Sequence, residues 1–521
     1  MPDIRPSRRT LLQLTAAGTL AGAVGVSPAY AESVDYTARR TFDDWDRLFQ
    51  QGGPGQPDQP NDNTNRDGRS GMLAWSQSYV LLGLIRMYET YRDTYYLDRL
   101  IDNVDQVLEV RDSARGVTDY RGLSLPAWRA DHPYTTGYAT LADSNGQPLL
   151  DLREALSYAE DTTITVSAGT RADTFSVRLV NTFVNRTVTL TDLSLDPASP
   201  DYAVARIYAA APGPLQLTAE DRRTVPRAGD VPRFGSYQMH CKPVIFAVHT
   251  GMITYPIASF VRIVAGSPVL RRRYQRKAAE YLQACREAVA VHDWEYRDDH
   301  LIWPKGQPLP YDGCEQPINQ SVGLGQTLVE LAIATGDRGY RAKVAALGRM
   351  LARQLTTDAG DAYVWHYWPT GGHISEGFTK TGDPDTDLSI FTPSGGPARQ
   401  FEDISHGAID VEFAVRAFRA KLAFTGRDLE RIARTFTQNV ATTDADLPAL
   451  HTTVGGGPIG GASVAAQAPR WMQVAPWDPK VHAHCLALYN RYQPTPERDG
   501  QQAIGFGWLL ANVAYLNWGA R

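Results

Sequence analysis

Four stretches of the chain share one pattern of apolar and polar positions: an apolar run, a short turn and a second, amphipathic run. The apolar runs begin at Leu81, Ile257, Leu328 and Phe413, and the turns that follow them contain Gly, Asp or Ser. Glycine suits the left-handed cap at the end of a helix, and Asp or Ser suits the start of the next helix. The pattern therefore predicts four helical hairpins, which must stack on one another to bury their apolar faces.

A block between about residues 155 and 225 departs from this helical pattern. β-branched residues alternate with other side chains in the runs 162–166, 174–180 and 187–191, and Gly or Asn residues lie between the runs. Alternation of this kind is typical of antiparallel strands joined by turns. The block therefore predicts a small antiparallel β insertion within the helical body, which either lines a cleft or binds a ligand by itself.

The helical pattern resembles the hairpin repeat of (α/α) toroids, above all of the six-hairpin carbohydrate-active enzymes. The resemblance covers about residues 70–110, 240–440 and 500–521, and it is a resemblance of fold, without one family's catalytic signature. It implies a mainly α protein, an (α/α) helical-hairpin toroid over 70–521 with a β insertion at about 155–225. Because that group includes glycoside hydrolases, polysaccharide lyases and uronyl epimerases, the resemblance also implies a carbohydrate substrate.

The first 31 residues resemble a twin-arginine export signal. Arg8 and Arg9 precede a mildly apolar run over 14–26, and a small-x-small cleavage site ends at Ala31. The apolar run is too short and too rich in glycine for a membrane anchor. We therefore expect a secreted protein without a membrane anchor, whose mature chain begins with a polar segment at 32–69.

Composition narrows the partners and cofactors. A net charge of −5 gives no reason to expect nucleic acid as a partner, and the absence of phosphate-binding and dinucleotide-binding motifs predicts no cofactor. The four cysteines have no C-x-x-C spacing, so they predict neither a zinc ribbon nor a redox pair. No metal is predicted, although the spacing of Asp383, Asp385 and Asp387 leaves a calcium site open. Disulfide pairing and the oligomeric state also stay open.

The main candidate for chemistry is a polar loop that meets an apolar run of helical period. The period predicts a buried helix over 407–424, beside which His406 and Asp410 lie one turn apart and can hydrogen-bond. Glu402 and Asp403 come just before this helix, where its N-terminal partial charge favours ionised carboxylates and a neutral His406. Such groups suit the work of a base or nucleophile. The alternative is that an acid caps the helix and His406 is a hydrogen-bonded core residue.

Aromatic and polar residues in the long loops are candidates for substrate binding. Aromatic rings stack on the apolar faces of pyranose sugars, and the chain contains 11 Trp and 25 Tyr residues. The candidate substrate-binding residues are Trp365, Trp368, Asn319, Tyr134, His132 and Glu376. The alternative for Trp365 and Trp368 is a place in the hydrophobic core.

An inverting glycoside hydrolase is the mechanism that the sequence favours. Glu402 or Asp403 would activate water, and a desolvated Glu315 or Glu376 would protonate the leaving oxygen. His406 completes the set of candidate catalytic residues as an accessory group. Cleavage of a poly- or oligosaccharide by hydrolysis is therefore the first hypothesis.

Two other hypotheses fit the same residues. A polysaccharide lyase would use a histidine or tyrosine to remove the proton beside a uronate carboxylate, and other polar groups to neutralise that carboxylate. His406, Asn319, Tyr134 and Tyr367 could fill these roles. A glycan-binding protein without catalysis is the third hypothesis.

Overall fold

The computed structural model of the chain describes residues 34–51, 71–132, 134–156, 158–211, 213, 216–227, 229–444, 446–499 and 506–520. The predicted export signal at 1–31 and most of the polar segment at 32–69 lie outside the described residues. Within the described ranges the protein is mainly α-helical, with small antiparallel sheets.

Long helices form the body of the described chain. They are α1 (Arg39–Gln50), α2 (Ser78–Tyr91), α3 (Tyr95–Glu109), α4 (Ala247–Ala265), α5 (Pro268–Ala290), α6 (Ile318–Thr335), α7 (Arg338–Gln354), α8 (Ile404–Arg419), α9 (Gly426–Arg434), α10 (Lys480–Tyr492) and α11 (Phe506–Gly519). Shorter α-helices lie at Asp112–Arg115, Ala203–Ala210, His373–Glu376, Ala462–Ala465 and Pro496–Asp499. Leu73–Gln77 and Thr435–Val440 are π-helical, and Ala159–Asp161, Asp293–Glu295 and Ala468–Val474 are 3-10 helical.

Six helical segments pack side by side in a closed sequence of contacts. Helix α2 packs on α4, α4 on α6, α6 on α8, α8 on the 3-10 segment 468–474, that segment on α11, and α11 on α2. These inner segments also pack on the outer helices α3, α5, α7, α9, α10 and α1. The hairpins predicted from the apolar runs correspond to α2–α3, α4–α5, α6–α7 and α8–α9.

The turn between α6 and α7 shows why such a hairpin forms. Gly336 ends α6 with a φ of 71°, a conformation that residues with a Cβ rarely adopt. Asp337 then caps α7, because its Oδ1 accepts hydrogen bonds from the backbone N–H groups of Gly339 (2.7 Å) and Tyr340 (3.3 Å). The Gly-Asp pair read from the sequence thus ends one helix and starts the next.

Neighbouring inner helices run in the same direction. In each pair of neighbours, an early residue of one helix contacts an early residue of the other, and a later residue contacts a later one. Between α4 and α6 the contacts are Gly251 with Gly323 and Arg262 with Glu330. Between α6 and α8 they are Gln326 with Ile409 and Glu330 with Arg416, and between α2 and α11 they are Gly83 with Ala511 and Tyr91 with Asn517. The approach is close, since a Cβ at Gly251 would lie 2.3 Å from the carbonyl oxygen of Gly323. The N-terminal ends of the inner helices therefore gather at one end of the helical body.

Eight strands between Gly137 and Cys241 form two four-stranded antiparallel sheets. The strands are β1 (Gly137–Ala142), β2 (Pro148–Glu154), β3 (Thr162–Ala168), β4 (Phe175–Asn181), β5 (Arg186–Leu193), β6 (Leu217–Asp221), β7 (Gly235–Gln238) and β8 (His240–Cys241). Their orders are β6-β2-β1-β8 and β5-β4-β3-β7, and the two sheets bury a hydrophobic cluster of their own. The three predicted strands are β3, β4 and β5. The β structure extends beyond 155–225, because strands from both flanks complete the first sheet and β7 completes the second.

Two-stranded antiparallel ribbons complete the described strands. They pair Arg129–Ala130 with Val244–Ile245, Tyr296–Arg297 with His300–Leu301, Thr356–Thr357 with Tyr363–Val364, and His451–Thr453 with Gly456–Ile459. None of the described helices is long and apolar enough to cross a membrane. All four cysteines are free thiols, and three of them, Cys285, Cys314 and Cys485, are buried. The disulfide pairings that the sequence left open are therefore not formed in this structure.

Candidate functional site

Two extended loop segments, 365–367 and 400–402, pair and organise the candidate site. The backbone N–H of Glu402 donates to the carbonyl of Trp365 (3.0 Å), and residues 366 and 401 form a bridge. Side chains alternate between the two faces of extended chains. Trp365 and Glu402 are accordingly buried, whereas Phe401 is 40% exposed.

Asp403 and His406 form a hydrogen-bonded pair at the start of α8. Asp403 caps the helix, since its Oδ1 accepts from the backbone N–H groups of Ser405 (2.8 Å) and His406 (3.0 Å). Its Oδ2 lies 2.5 Å from His406 Nδ1. Burial by itself raises the pKa of Asp403, but His406 and the backbone donors outweigh burial and lower it. Because an ionised carboxylate only accepts, Nδ1 carries the proton and His406 Nε2 is the nitrogen left for chemistry.

Glu402 and Asp410 form a buried acid pair behind this dyad. Both are almost completely inaccessible, and no Lys, Arg or His within the described ranges forms an ion pair with either. Asn319 Nδ2 donates to Glu402 (3.2 Å), and Trp365 Nε1 donates to Asp410 Oδ2 (2.7 Å). Burial raises the pKa of both carboxyls well above their ordinary values, and the charge of Asp410 raises that of Glu402 further.

Burial favours a proton on one member of the buried pair. Asp410 Oδ1 is buried and lacks a donor from any other described group, yet the two carboxyls are in hydrogen-bonding contact. Two ionised carboxylates cannot hydrogen-bond, because both only accept. A proton on one of them turns the contact into an O–H donor facing an acceptor, and it satisfies the otherwise orphaned oxygen.

Two expectations about this segment are wrong. Glu402 is not kept ionised by the helix end, because complete burial costs the charged form more than the partial charge of the helix terminus returns. His406 does not hydrogen-bond to Asp410 one turn away, since its Nδ1 turns back to Asp403 and Asp410 instead accepts from Trp365. The alternative, in which an acid caps the helix, is confirmed for Asp403. The helix also begins at Ile404, three residues earlier than predicted.

Trp365 and Trp368 do not present rings to a cleft, so their predicted role in stacking on sugar is wrong. Each is only 1% exposed, and both belong to the hydrophobic core. The aromatic surface beside the dyad is instead the stacked pair of His366 and Phe401, whose ring centroids are 5.0 Å apart with planes 7° from parallel. The sequence analysis missed this pair, because the pairing of the two loop segments decides which rings face outward.

Tyr367 and Asn319 complete the group around the dyad. The ring of Tyr367 meets that of His406 edge-on at 5.5 Å, and its hydroxyl is hydrogen-bonded with Asn319. Burial, with the nearby charges of Glu402 and Asp403, raises the pKa of Tyr367, so its hydroxyl keeps its proton. Asn319 therefore links Tyr367 to the buried acid pair.

The structure does not bring Glu315 and Glu376 into this group in the way a catalytic acid requires. Glu315 accepts hydrogen bonds from the backbone N–H of His373 (3.0 Å) and lies 2.9 Å from His373 Nδ1. Glu376 is ion-paired with Arg399 at the surface. Both carboxylates thus stabilise the loop near 373–399. The expectation of a desolvated acid at either position is not supported by these contacts.

His132 and Tyr134 lie in a second aromatic cluster, at the N-terminal end of α4. Tyr134 meets His249 edge-on at 5.1 Å, and Trp75 Nε1 donates to His249 Nε2 (2.9 Å). Burial lowers the pKa of His249 to about 3, so this imidazole is neutral. His132 packs edge-on against Tyr158.

Neither His249 nor the contacts of Asp410 were predicted from the sequence. His249 is the third residue of α4, as His406 is the third residue of α8. That shared position at the start of two inner helices is the signal in the sequence that could have found it. Asp410 was noticed only as a partner for His406, which it is not.

One group of described residues has the composition of a metal site. Single ligand atoms of Glu402, Asp403 and His406 lie within 4.8 Å of one another. Both carboxylate oxygens of Asp403 and Nδ1 of His406 already bond within the protein, so the geometry assigns no ion. Asp383, Asp385 and Asp387 do not form such a group among the described residues; Asp387 instead accepts from Tyr208 and Thr381.

Comparison with known proteins gives little further information. No protein-family model matches the chain, and no curated protein matches it. A crystal structure of a sugar epimerase from a ruminal bacterium is similar over 54% of this chain and 75% of that chain, with 13% identity and a TM-score of 0.32. At that TM-score the likeness supports no inference about function.

Proposed function

We propose that this protein is a carbohydrate-active enzyme that cleaves a uronate-containing glycan by β-elimination, with His406 as the base. The observation that carries the proposal is the Asp403–His406 dyad, which lies beside Tyr367 and in front of a cation-free acid pair. Buried, unpaired acids cost stability, and such groups with perturbed pKa values gather at functional sites. We further propose that the closed contacts of the inner helices form an (α/α) toroid, with this site at its mouth.

Distances argue against a paired-carboxylate hydrolase at this position. An inverting hydrolase separates its two carboxyl groups by roughly 6.5–9.5 Å and a retaining one by about 5–5.5 Å. Ligand oxygens of Glu402 and Asp403 lie within 4.8 Å of each other, with no room between them for a sugar. Glu315 and Glu376 already bind His373 and Arg399.

The proposed reaction assigns one task to each group. His406 Nε2 takes the proton from the carbon beside the uronate carboxylate, and Asp403 stabilises the resulting imidazolium. The electrons form a carbon–carbon double bond as the bond to the neighbouring glycosidic oxygen breaks. The Tyr367 hydroxyl, whose raised pKa keeps it protonated, gives its proton to that leaving oxygen. The side-chain amide of Asn319 offsets the negative charge that develops on the uronate.

The surface beside the dyad favours a sugar as ligand. Phe401 is 40% exposed and stacked on His366, and it precedes Asp403 by two residues in the chain. Aromatic faces attract the C–H-rich face of a pyranose ring, and their two χ angles make them rigid platforms. The exposed pair replaces the buried tryptophans as the proposed sugar platform.

The test combines two product measurements on uronate-containing polysaccharides. β-Elimination creates an unsaturated uronate that absorbs in the ultraviolet, together with new reducing ends, whereas hydrolysis creates reducing ends alone. We expect both signals from the wild-type protein and a loss of about 10²–10⁴ in kcat/KM for His406→Gln. The matched control is His373→Gln, an exposed histidine that also bonds to a carboxylate, and it should keep full activity.

Each other outcome has a definite meaning. Reducing ends without ultraviolet absorbance would contradict β-elimination and support the hydrolase. Binding of the polysaccharide without either product would support a glycan-binding protein. Full activity of His406→Gln would contradict the assignment of the base.

We also propose that the protein is secreted through the twin-arginine pathway, on the strength of Arg8, Arg9 and the cleavage site that ends at Ala31. Replacement of both arginines by lysine should leave the precursor in the cytoplasm. The measurement is the distribution of the full-length and shortened chains between cell fractions. Normal export of the double variant would contradict this proposal.

A further inference from the structure

Lys242, which follows strand β8, is a cation without a partner charge. It is exposed, and it forms no ion pair within the part of the chain that the structure describes. Its Nζ lies 3.9 Å from the centroid of the Tyr138 ring. An aromatic face attracts an ammonium group without neutralising it, so Lys242 is held in place with its charge available.

The neighbouring charged groups bind partners other than Lys242. Arg153 is ion-paired with Glu220, and Arg222 lies 3.1 Å from Glu220 and 3.5 Å from Asp151. Glu160 accepts a hydrogen bond from the backbone N–H of Cys241 (3.2 Å). Burial lowers the pKa of Lys242, the charge of Asp151 raises it, and the charges of Arg153 and Arg222 lower it.

The sheet beneath this surface presents polar groups in a row. Tyr138 on β1 lies opposite Arg153 on β2, which in turn lies opposite Thr218 on β6. Arg153 and Thr218 line a small cleft of about 20 Å³ between the sheet and the loop 384–393. The Thr218 hydroxyl is buried and has no hydrogen-bond partner among the described residues, so the cleft contains an unsatisfied polar group.

The same sheet is attached to the loops that enter α6. The backbone N–H of Thr136, just before β1, donates to the carbonyl of Pro308 (2.9 Å). Tyr138 meets Phe391 edge-on at 5.5 Å, and the Phe391 N–H donates to Asp312 (3.2 Å). Residues 308 and 312 shortly precede α6, whose N-terminal Asn319 contacts Glu402. The surface around Lys242 therefore lies toward the end of the helical body that carries the candidate site.

We propose that Lys242, positioned by Tyr138, binds the carboxylate of a sugar unit of an acidic glycan, at a site separate from the Asp403–His406 dyad. The identity of the ligand rests on the proposed function, because a polymer that is cleaved beside one uronate carries further carboxylates along its length. An unpaired ammonium group recognises such a carboxylate by charge and leaves the cleavage step to the dyad.

Binding is measured with the His406→Gln protein, so that cleavage does not consume the ligand. Titration calorimetry with an oligouronate should show an affinity about three- to tenfold weaker when Lys242→Gln is added. Lys242→Arg should retain the affinity of the parent protein. Added salt should reduce the difference in affinity between the parent and the Lys242→Gln variant. An oligosaccharide whose carboxyls have been reduced to alcohols should bind the parent protein and the Lys242→Gln variant with equal affinity. A sulfated neutral glycan tests whether Lys242 also binds a sulfate group.

The control is Lys343→Gln. Lys343 Nζ also lies over a tyrosine ring, 4.6 Å from the centroid of Tyr296, but it is ion-paired with Asp293 (2.5 Å). Because its charge is already neutralised, this variant should bind the oligouronate like its parent. An equal loss of affinity in both lysine variants would overturn the Lys242 site.

The outcomes separate this site from the proposed reaction. Binding that depends on Lys242, in a wild-type protein that releases no product, would contradict β-elimination and support the site. Cleavage by the wild type with unchanged affinity in Lys242→Gln would support the reaction and overturn the site. No binding of the oligouronate by the parent protein would also overturn the site.

Discussion

Buried acidic groups lie at both ends of the inner helices, but among the described residues they are paired with arginines at one end only. At the N-terminal end, the acid pair of Glu402 and Asp410 has no cation within the described ranges. At the C-terminal end, the carboxylates of Glu89, Glu330 and Glu412 each form an ion pair with an arginine. The members of that network are Arg86, Glu89, Arg262, Glu330, Glu412 and Arg416.

The arginine network joins four inner helices. Glu412 of α8 accepts from Arg86 of α2 (2.5 Å), from Tyr515 of α11 (3.0 Å) and from Tyr255 of α4. Since each member is paired, the network costs little as a whole, whereas removal of one partner leaves a buried charge alone. We infer that it specifies how the inner helices align.

The pKa values of Glu89 and Glu402 shift in opposite directions. Glu89 is largely buried, with 14% of its side chain exposed, but Arg86 and the other arginines outweigh burial and lower its pKa. Glu402 is completely buried and forms no ion pair with a described cation, and its pKa is raised. The arginines thus favour an ionised carboxylate at Glu89, whereas burial favours the neutral acid at Glu402.

The largest expected effect on stability comes from breaking the arginine network. Glu330 accepts from both Arg262 and Arg416, so Glu330→Gln should lower the free energy of unfolding by about 3–5 kcal/mol. Urea denaturation gives the value. Glu376→Gln breaks an exposed ion pair and should cost about 0–1 kcal/mol. An equal loss of unfolding free energy in Glu330→Gln and Glu376→Gln would contradict the larger contribution of the buried arginine network.

The pH dependence of stability should differ in sign at the two ends. Because the folded pKa of Glu402 is raised, its contribution is fully present below the unfolded pKa of about 4.3 and is lost as pH rises through the folded value. The gain in stability of Glu402→Gln relative to wild type should therefore grow with pH above about 4.3, by about 1.4 kcal/mol per pH unit at most.

Glu89→Gln is the matched control for that measurement. The pKa of Glu89 is lowered in the folded state, so its contribution is present above the unfolded pKa and is lost as pH falls. The destabilisation of Glu89→Gln should therefore shrink toward acid pH. Unfolding curves across a pH series check both variants, and parallel profiles for wild type and Glu402→Gln would contradict the raised pKa.

Two tyrosine variants separate stability from activity. Tyr515→Phe removes one hydrogen bond to the charged Glu412 and should cost about 1.5–3 kcal/mol, with activity per folded molecule unchanged. Tyr367→Phe removes a hydrogen bond to the neutral Asn319 and should cost only about 0.5–1.5 kcal/mol. It should nevertheless lower kcat strongly, since it removes the proposed acid. Melting curves and kcat are measured on the same preparations. Equal kcat values for Tyr367→Phe and the wild type would contradict the role of Tyr367 as the acid.

Asp403→Asn should also have a small effect on stability. Asparagine caps helices about as well as aspartate, so the free energy of unfolding should change by less than about 1 kcal/mol. The variant lacks the charge that orients and stabilises the His406 imidazolium, so kcat should fall while KM changes little. If Asp403 only caps the helix, kcat per folded molecule will equal that of the wild type.

Much of the helical fold could be read from the sequence because its causes are local. The apolar runs, the Gly336–Asp337 turn and the alternation over 162–191 each depend on residues a few positions apart. The pairing of β1 and β2 with β6 and β8 could not be read, since the partners lie about 70–100 residues away in the chain. The local sequence pattern thus identified helices and strands, but it predicted fewer strands than the two sheets contain.

The sequence by itself determined where the candidate site lies in the chain. A polar loop that precedes an apolar run marked 402–406, and an aspartate before a helix predicted the cap that Asp403 provides. Only the tertiary structure decided the hydrogen-bond partners and the charge state of these groups. The partners of the acid pair, Asn319 and Trp365, come from other elements, 83 and 45 residues away. The charge state of Glu402 depends on burial and on the absence of a nearby cation, and both are properties of three-dimensional packing that no local pattern encodes.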